Sequence, residues 1–574
     1  MSTTTPRLAT QTMRAGQISA ALAELQSRAH SERLVERIAA ADPSVWASDP
    51  VSQKAVANRL GWLRIASVMQ GRIAELEQFA TEVFGDGIRD VVLLGMGGSS
   101  LCPSVFGQIF PRFPGRGQFL VLDSTVPAAV KRVERAIDFP RCLFVSASKS
   151  GKTIETLSHT EYFWEKLTET AGPKAGSHFI AITDKGSSLE ELARARQFRH
   201  VFLNPADIGG RYSALSYFGL VPATLAGVPL QGLLDSAVAA EAEGLSEGVR
   251  NTAVDLGLFI GAAARLGRDK LTFVATPNLA PLIPWIEQLV AESTGKNQTG
   301  IVPIEGEPLT DIKDYGEDRV FVFFQIEGDR DQFGAFCDQL AAAGHPVAVV
   351  SLADVTQIGG EFFRWELATA VAGWVLGVNP FDEPNVQESK DNTKRVLGEL
   401  VAHGSAAVPR ALATAGDISV LGVSPATSGR DGADLAGMIQ WWMRNVEESE
   451  YVSTLAYLDD TPQTERALTR VRETLGNRTH RATLRGYGPR YLHSIGQLYK
   501  GGPPTGAYLL ITADDPEDAP ISGAGYTFST LKMAQALGDA ESLMKRGRPF
   551  LHLHFHGDPV RGLNDLASVI EVPG

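Results

Sequence analysis

Residues 142–156 read Cys-Leu-Phe-Val-Ser-Ala-Ser-Lys-Ser-Gly-Lys-Thr-Ile-Glu-Thr, an apolar strand running straight into a turn rich in hydroxyls and amides. Ser148, Ser150 and Thr153 each offer a hydroxyl, Lys149 offers a cation, and Gly151 lets the backbone come close to a ligand. A helix opening near Thr153 would aim free N–H groups and the positive end of its dipole at an anion. A phosphate monoester is what such a turn suits, although an ordinary capped strand-to-helix loop has the same composition. Earlier in the chain, Val91-Val92-Leu93-Leu94 leads into Gly95-Met96-Gly97-Gly98-Ser99-Ser100, a second strand followed by a glycine turn. Two anion-friendly strand ends belong to one crevice of a parallel sheet. The rival is a dinucleotide fingerprint, but its third glycine would fall at Ser100, and Asp123 at the end of the next strand has no further support. No nicotinamide or flavin cofactor is therefore expected.

Proton chemistry needs a base and a charge stabiliser. In Trp285 to Lys296, Gln288 and Glu292 lie four residues apart and so share one helix face. Arg211 follows Gly209-Gly210, a setting that presents a permanent cation to a ligand oxygen. Asn379 to Lys390 forms a loop that enters a helix, and His493 is the best-placed single histidine. His552, His554 and His556 alternate and would share one strand face, but with only Asp558 as an accompanying carboxylate, no metal site is expected; a half-exposed strand is.

These groups must be positioned by a framework, and its outline is visible. Strand-like runs at 91–94, 119–122, 142–147, 178–183 and 200–203 alternate with helix-length segments, and a second series follows at 271–276, 320–326 and 347–351. That alternation predicts two doubly wound parallel sheets. Residues 15–80 carry helical spacing, as in Leu34, Ile38, Val45 and Trp46. Beyond about residue 405 further strands at 420–421, 453–457, 508–512 and 550–555 form either a third lobe or the completion of the second sheet, and Asp514-Asp515-Pro516-Glu517-Asp518 reads as a solvated acidic turn. The division predicted is 1–80, 81–260, 261–405 and 406–574.

At 574 residues the chain is long enough for several domains, and 44% hydrophobic with 21% charged residues is a globular composition. A net charge of -13 argues against a nucleic-acid partner but not against a small phosphorylated metabolite. Three cysteines, Cys102, Cys142 and Cys337, imply no disulfide frame and a reducing, cytoplasmic setting. No signal-peptide core and no apolar stretch of membrane-spanning length is seen, so no membrane partner is expected.

Taken in order, Gly97-Gly98-Ser99, the Ser148 to Thr156 turn, Gly209 to Ser213, Gln288 with Glu292 to Lys296, and Asn379 to Lys390 resemble the phosphoglucose isomerase family. The flanking Arg59-Leu60-Gly61-Trp62-Leu63 and Gly486 to His493 look like the isomerase half of bacterial transaldolase and phosphoglucose isomerase fusion proteins, without the transaldolase barrel. The resemblance implies two sugar-isomerase (SIS-type) domains and reversible isomerisation of glucose 6-phosphate and fructose 6-phosphate, a step of glycolysis and gluconeogenesis, with no cofactor. It casts Glu292 as the base moving a proton between C1 and C2, and Arg211 as the partner of the enediolate. Lys390 and His493 would open the ring, while Gly98, Ser99, Ser148, Lys149, Ser150, Thr153 and Gln288 would hold phosphate and hydroxyls. A homodimer is implied as well. Two departures stand out: His493 follows Lys390 instead of preceding it, and the usual Phe-Asp-Gln is Phe381-Asp382-Glu383. A non-catalytic sugar-phosphate regulator and a dual phosphoglucose and phosphomannose isomerase are the alternative readings.

Overall fold

In the computed structural model, which describes residues 8–111, 115–248, 250–329, 333–404, 408–424, 434–447 and 449–572, three sheets carry the architecture. In chain order the strands are β1 (Thr10–Arg14), β2 (Asp90–Gly95), β3 (Phe119–Leu122), β4 (Cys142–Ala147), β5 (Phe179–Asp184), β6 (His200–Asn204), β7 (Lys270–Ala275), β8 (Val302–Ile304), β9 (Arg319–Ile326), β10 (Val347–Leu352), β11 (Ala413–Ala415), β12 (Ile418–Ser424), β13 (Tyr451–Tyr457), β14 (Ala482–Tyr487), β15 (Gly506–Ala513) and β16 (Phe550–Phe555). The first sheet runs β3-β2-β4-β5-β6, all parallel. The second runs β1-β10-β9-β7-β8 and the third β11-β12-β16-β15-β13-β14.

All three share one winding: the opening strand of the parallel series pairs with its successor on one side and with the strand after that on the other. That reversal is the switch point of a doubly wound sheet, outside whose strand carboxyl ends ligands bind. In the first sheet it falls between β2 and β4, where Gly95 pairs with Ala147. The glycine turn after β2 and the hydroxyl turn after β4 therefore leave the sheet side by side.

Strands buried on both faces read as unbroken apolar runs, which is why β2, β4 and most of β9 were visible in sequence. Two findings differ from the expectations. Polar Thr10–Arg14 adds an antiparallel strand to the second sheet ahead of the helical segment, its backbone pairing with β10. Of the two readings for the chain beyond residue 405, it is the separate lobe that forms, with a sheet of its own. Within it β16 is not half-exposed: it lies between β12 and β15 and is buried throughout.

The third sheet is docked on both others. Arg490 forks onto Asp123 at the end of β3 with contacts of 2.8 and 2.6 Å, and Arg132 reaches Asp459 and Asp460. The helix Phe528–Lys545 sends Phe528, Leu531, Ala534 and Leu537 into the apolar core that holds Phe144 and Phe163 of the first lobe. On the other side, Ala291, Val302 and Ile304 pack with Leu484, Tyr491, Ile495 and Leu498. No helix among the described residues is long and apolar enough to cross a membrane.

Candidate functional site

Two glycine turns meet where a side chain would not fit. A Cβ on Gly98 would lie 2.0 Å from the Gly210 carbonyl oxygen, so the turn after β2 packs backbone to backbone on the loop that carries Arg211. Gly97 has φ +53°, and a Cβ there would stand 2.7 Å from the His493 carbonyl oxygen and 2.9 Å from Gln288 Nε2. Three distant segments thus converge on one turn.

Arg211 is buried and fully engaged. Nε donates to Ser293 Oγ at 2.8 Å, and Nη2 donates to the carbonyls of Pro380 and Asp382 at 2.8 and 2.9 Å. Nη1 stands 3.3 Å from Glu292 Oε1 and 3.2 Å from Glu383 Oε2. Burial works against the charge, yet the two carboxylates outweigh it and secure the guanidinium as a cation. Lys296 Nζ holds the same 379–383 loop through the Asn379 and Asp382 carbonyls and the Asp382 carboxylate. Burial, with Arg211 nearby, depresses its ammonium to about 8.

Glu292 projects from the helix Ile283–Thr294 one turn beyond Gln288, as the four-residue spacing requires. Gln288 Nε2 donates both to Glu292 Oε2 at 3.1 Å and to the His493 carbonyl at 2.8 Å. The Glu292 side chain is 13% exposed, enough to meet a ligand but little enough to lose most of its hydration. Burial pushes its carboxyl above the ordinary value; Arg211 opposes this and the Glu383 carboxylate reinforces it. The outcome is a carboxylate of raised basicity with a fixed cation on one oxygen.

His493 lies in the turn after β14, just before the short helix Gly496–Gly501. Its Nε2 is 2.8 Å from Glu155 Oε1, a buried carboxylate in the first turn of the helix Ile154–Ala171. Gln535 Nε2 donates to the same Glu155 oxygen at 2.6 Å, and Gln535 Oε1 accepts from Thr125. Burial raises Glu155, but His493 outweighs it and the carboxyl stays below the usual range. Behind the turn Tyr491 donates to Asp539, which also meets Lys500 Nζ at 2.7 Å. Glu155 and Gln535 were not singled out from sequence. A glutamate in the turn-to-helix segment was the available signal for the first; Gln535 carried none, since only the docked third lobe brings it here.

The hydroxyl turn lies next along the same helix. Ser148 Oγ and Thr153 Oγ1 are 2.9 Å apart, and Thr153 precedes Ile154 without capping the helix through its side chain. The first-turn N–H groups therefore have no hydroxyl cap. Gly151, at φ +68°, packs where a Cβ would stand 2.6 Å from the Leu189 nitrogen. Ser150 is exposed, and its oxygen accepts from the Lys152 N–H. Lys149 does not point into the turn: its ammonium is committed to Asp184 and the Ala206 carbonyl. Ser99 is half-buried in the glycine turn. Lys390 is exposed in the helix Val386–His403, and no hydrogen bond or ion pair joins it to Arg211, Glu292 or His493. The structure therefore brings together Gly98, Arg211, Gln288, Glu292 and His493, sets Ser148 and Thr153 beside them through Glu155, and leaves Lys149, Ser150 and Lys390 outside this contact network.

A cleft of about 290 Å³ opens beside Glu383, between Asn58, Arg59 and the 379–383 loop. Another of about 240 Å³ lies between the second and third sheets around Arg319 and Arg472, remote in contacts from Glu292. The first touches the site through Glu383, which meets Arg211.

Residues 74–306 match the family described as Phosphoglucose isomerase, a span that holds Gly98, Ser148, Arg211, Gln288 and Glu292 but ends before Lys390 and His493. The chain is 26% identical over 408 residues to a glucose-6-phosphate isomerase of Carboxydothermus hydrogenoformans, covering 60% of this chain and 86% of that protein. It is 29% identical over 391 residues to one of Rubrobacter xylanophilus, covering 59% and 89%. Among solved structures, a hypothetical protein of Thermus thermophilus superposes with a TM-score of 0.57 at 24% identity, over 68% of this chain and 100% of that one. A glucose-6-phosphate isomerase of Chlamydia trachomatis superposes with a TM-score of 0.55 at 19% identity, over 69% and 90%. At these identities the two structures share the fold.

Proposed function

We propose that this chain, whose residues 74–306 match the phosphoglucose isomerase family, interconverts glucose 6-phosphate and fructose 6-phosphate by proton transfer through an enediolate. The observation that carries this reading is Glu292, buried on Arg211 and joined through Gln288 to the His493 turn, whose imidazole meets Glu155 at the start of the helix that follows the hydroxyl turn.

The phosphate seats at Ser148 and Thr153, where the helix dipole and first-turn N–H groups favour an anion, and supplies position rather than chemistry. His493, held by Glu155, handles the proton of the ring oxygen or anomeric hydroxyl as the sugar opens. Lys390, next to the loop that Arg211 and Lys296 hold, is the second ring-opening group that the resemblance implies. Glu292 then takes the proton from C2 of the aldose, negative charge moves onto the enediolate oxygens, the O2 hydroxyl proton passes to O1, and the carboxyl returns its proton to C1 as C2 becomes the carbonyl. Arg211, whose N–H groups are taken by Ser293, two backbone carbonyls and the two carboxylates, favours that charge as a fixed neighbouring cation. Lifting the Glu292 carboxyl makes it a better base near neutrality than an exposed glutamate.

Every group named here comes from one chain. Gly486 to His493, whose wording resembles the isomerase half of transaldolase fusion proteins, lies in the third lobe beyond the family match and supplies the histidine. A homodimer is the assembly that the resemblance suggests, and the cytoplasm is the compartment that three buried, unpaired cysteines suit. The test is a coupled dehydrogenase assay with both hexose phosphates and with mannose 6-phosphate. Glu292→Gln should lose at least about a thousandfold in kcat while sugar-phosphate binding persists. A variant with wild-type turnover would defeat the mechanism.

A further inference from the structure

The third sheet ends in a cluster that the isomerase reading does not use. The run 514–518 is exposed at Asp514, Pro516, Glu517 and Asp518, as its composition suggests, but its first two carboxylates are engaged: Asp515 pairs with buried Lys532 at 2.6 Å, and Asp514 meets two imidazoles. Asp514 directly follows β15 and His556 directly follows β16, with Thr512 opposite His554 in the parallel register. The carboxyl ends of parallel strands are where α/β sheets present ligands.

His554 Nε2 lies 3.0 Å from Asp514 Oδ1, and His556 Nδ1 lies 3.1 Å from Asp514 Oδ2. One ligand atom from each of the three residues falls within 4.8 Å of the others. The far nitrogen of each ring is anchored to a hydroxyl: His554 Nδ1 to Thr512 Oγ1 at 2.8 Å, and His556 Nε2 to Ser419 Oγ at 2.9 Å. Thr512 also reaches His552 Nε2, and Ser419 reaches Thr414. A polar partner on the far nitrogen is what fixes the orientation of a metal-ligating imidazole. Asp417 adds negative charge on this side, its carbonyl accepting from the His556 N–H and its carboxylate lying against Gly557. Lys532, the neighbouring cation, is spoken for by Asp515 and the Ala513 carbonyl.

We propose that Asp514, His554 and His556 bind one borderline divalent cation of the zinc class, with water completing its coordination. Two imidazoles and a carboxylate are donors that zinc-like ions accept, whereas Mg²⁺ and Ca²⁺ favour oxygen alone. Asp514 and His556 stay 58% and 44% exposed, which leaves the ion a way in. Bound there, it ties the ends of β15 and β16 to each other and, through Ser419, to β12. None of these residues contacts Arg211, Glu292 or His493, so the ion stabilises the lobe and leaves turnover unchanged.

The test uses the full-length, tag-free chain, stripped with chelator and titrated with ZnCl₂, with metal content read by mass spectrometry and affinity by calorimetry. One zinc per chain, a rise in Tm on loading and a tetrahedral Co²⁺ visible spectrum are the results expected. The variant combining Asp514→Asn with His556→Gln alters two exposed side chains and should fold, but should bind zinc at least about tenfold more weakly and lose the Tm rise. Absence of binding, binding that survives this variant, or equal binding of Mg²⁺ would reduce the cluster to a hydrogen-bonded triad and overturn the proposal.

Discussion

Replacing Glu155 by Gln tests the least anticipated contact in the site. The substitution keeps the side-chain length and an oxygen that can accept from Gln535, so the helix start and the docking of the third lobe should survive. What disappears is the negative charge 2.8 Å from His493 Nε2, in a pair whose side chains are only 4% and 19% exposed. A hydrogen bond to a charged partner in such a setting contributes about 1.5 to 3 kcal/mol. If that energy orients His493 and supports the proton it carries during ring opening, kcat should fall by roughly 10- to 150-fold. KM should change little, because the Glu155 carboxylate is directed to His493 and Gln535 while Ser148 and Thr153 bond to each other. The coupled assay gives both parameters, and a thermal melt checks the fold. Combining Glu155→Gln with His493→Asn should cost no more than His493→Asn alone, since the two act as a unit. Turnover within about twofold of wild type, or additive losses in the double variant, would refute the pairing as part of the chemistry.

Other outcomes follow from the same geometry. Glu383 helps to raise the Glu292 carboxyl, so Glu383→Gln removes that repulsion and lets Glu292 ionise at lower pH. The acidic limb of kcat/KM against pH should then move downward, by less at high salt because Glu383 is 45% exposed; an unmoved limb would sink this assignment. Mixing inactive Glu292→Gln and His493→Asn proteins, with time for any subunits to exchange, should restore no activity, since each chain closes its own site. Recovery on mixing would show that the histidine works across a subunit boundary. Glu287, pushed up to about 8 by burial and then by Glu305, binds a proton in the folded protein that the unfolded chain releases near 4.5. Stability therefore declines as pH rises through this window, and Glu287→Gln should raise Tm more at pH near 8 than near pH 5. An equal change at both would contradict it.

How much of this was legible in sequence varies with the range of the interaction. The parallel strands announced themselves because burial on both faces leaves no polar alternation, as in Leu143-Phe144-Val145. β14 did not, since Arg485 and Gly486 interrupt it at the sheet edge, and β1 did not, since its polar residues become a strand only by pairing with β10. Gln288 and Glu292 were readable from a four-residue spacing, and Glu383 stood out against the wording of the family. The bond between Glu155 and His493 spans 338 positions and depends on two lobes docking, which no local pattern encodes. Lys149 depends on a distant partner too: it lies in a phosphate-like turn, but Asp184 at the end of the neighbouring strand holds its ammonium.

The seam that brings the His493 turn to the Glu292 helix has a kinetic meaning. Because both ends belong to one covalent chain, their meeting is a folding event whose effective concentration, of roughly millimolar order for tethered partners, does not fall when the protein is scarce. The forked Arg490 contact to Asp123 and the apolar plug of the helix Phe528–Lys545 then decide whether the catalytic surface exists at all. Loosening that seam would switch chemistry off without touching a reacting group, and supplying more protein would not bring it back.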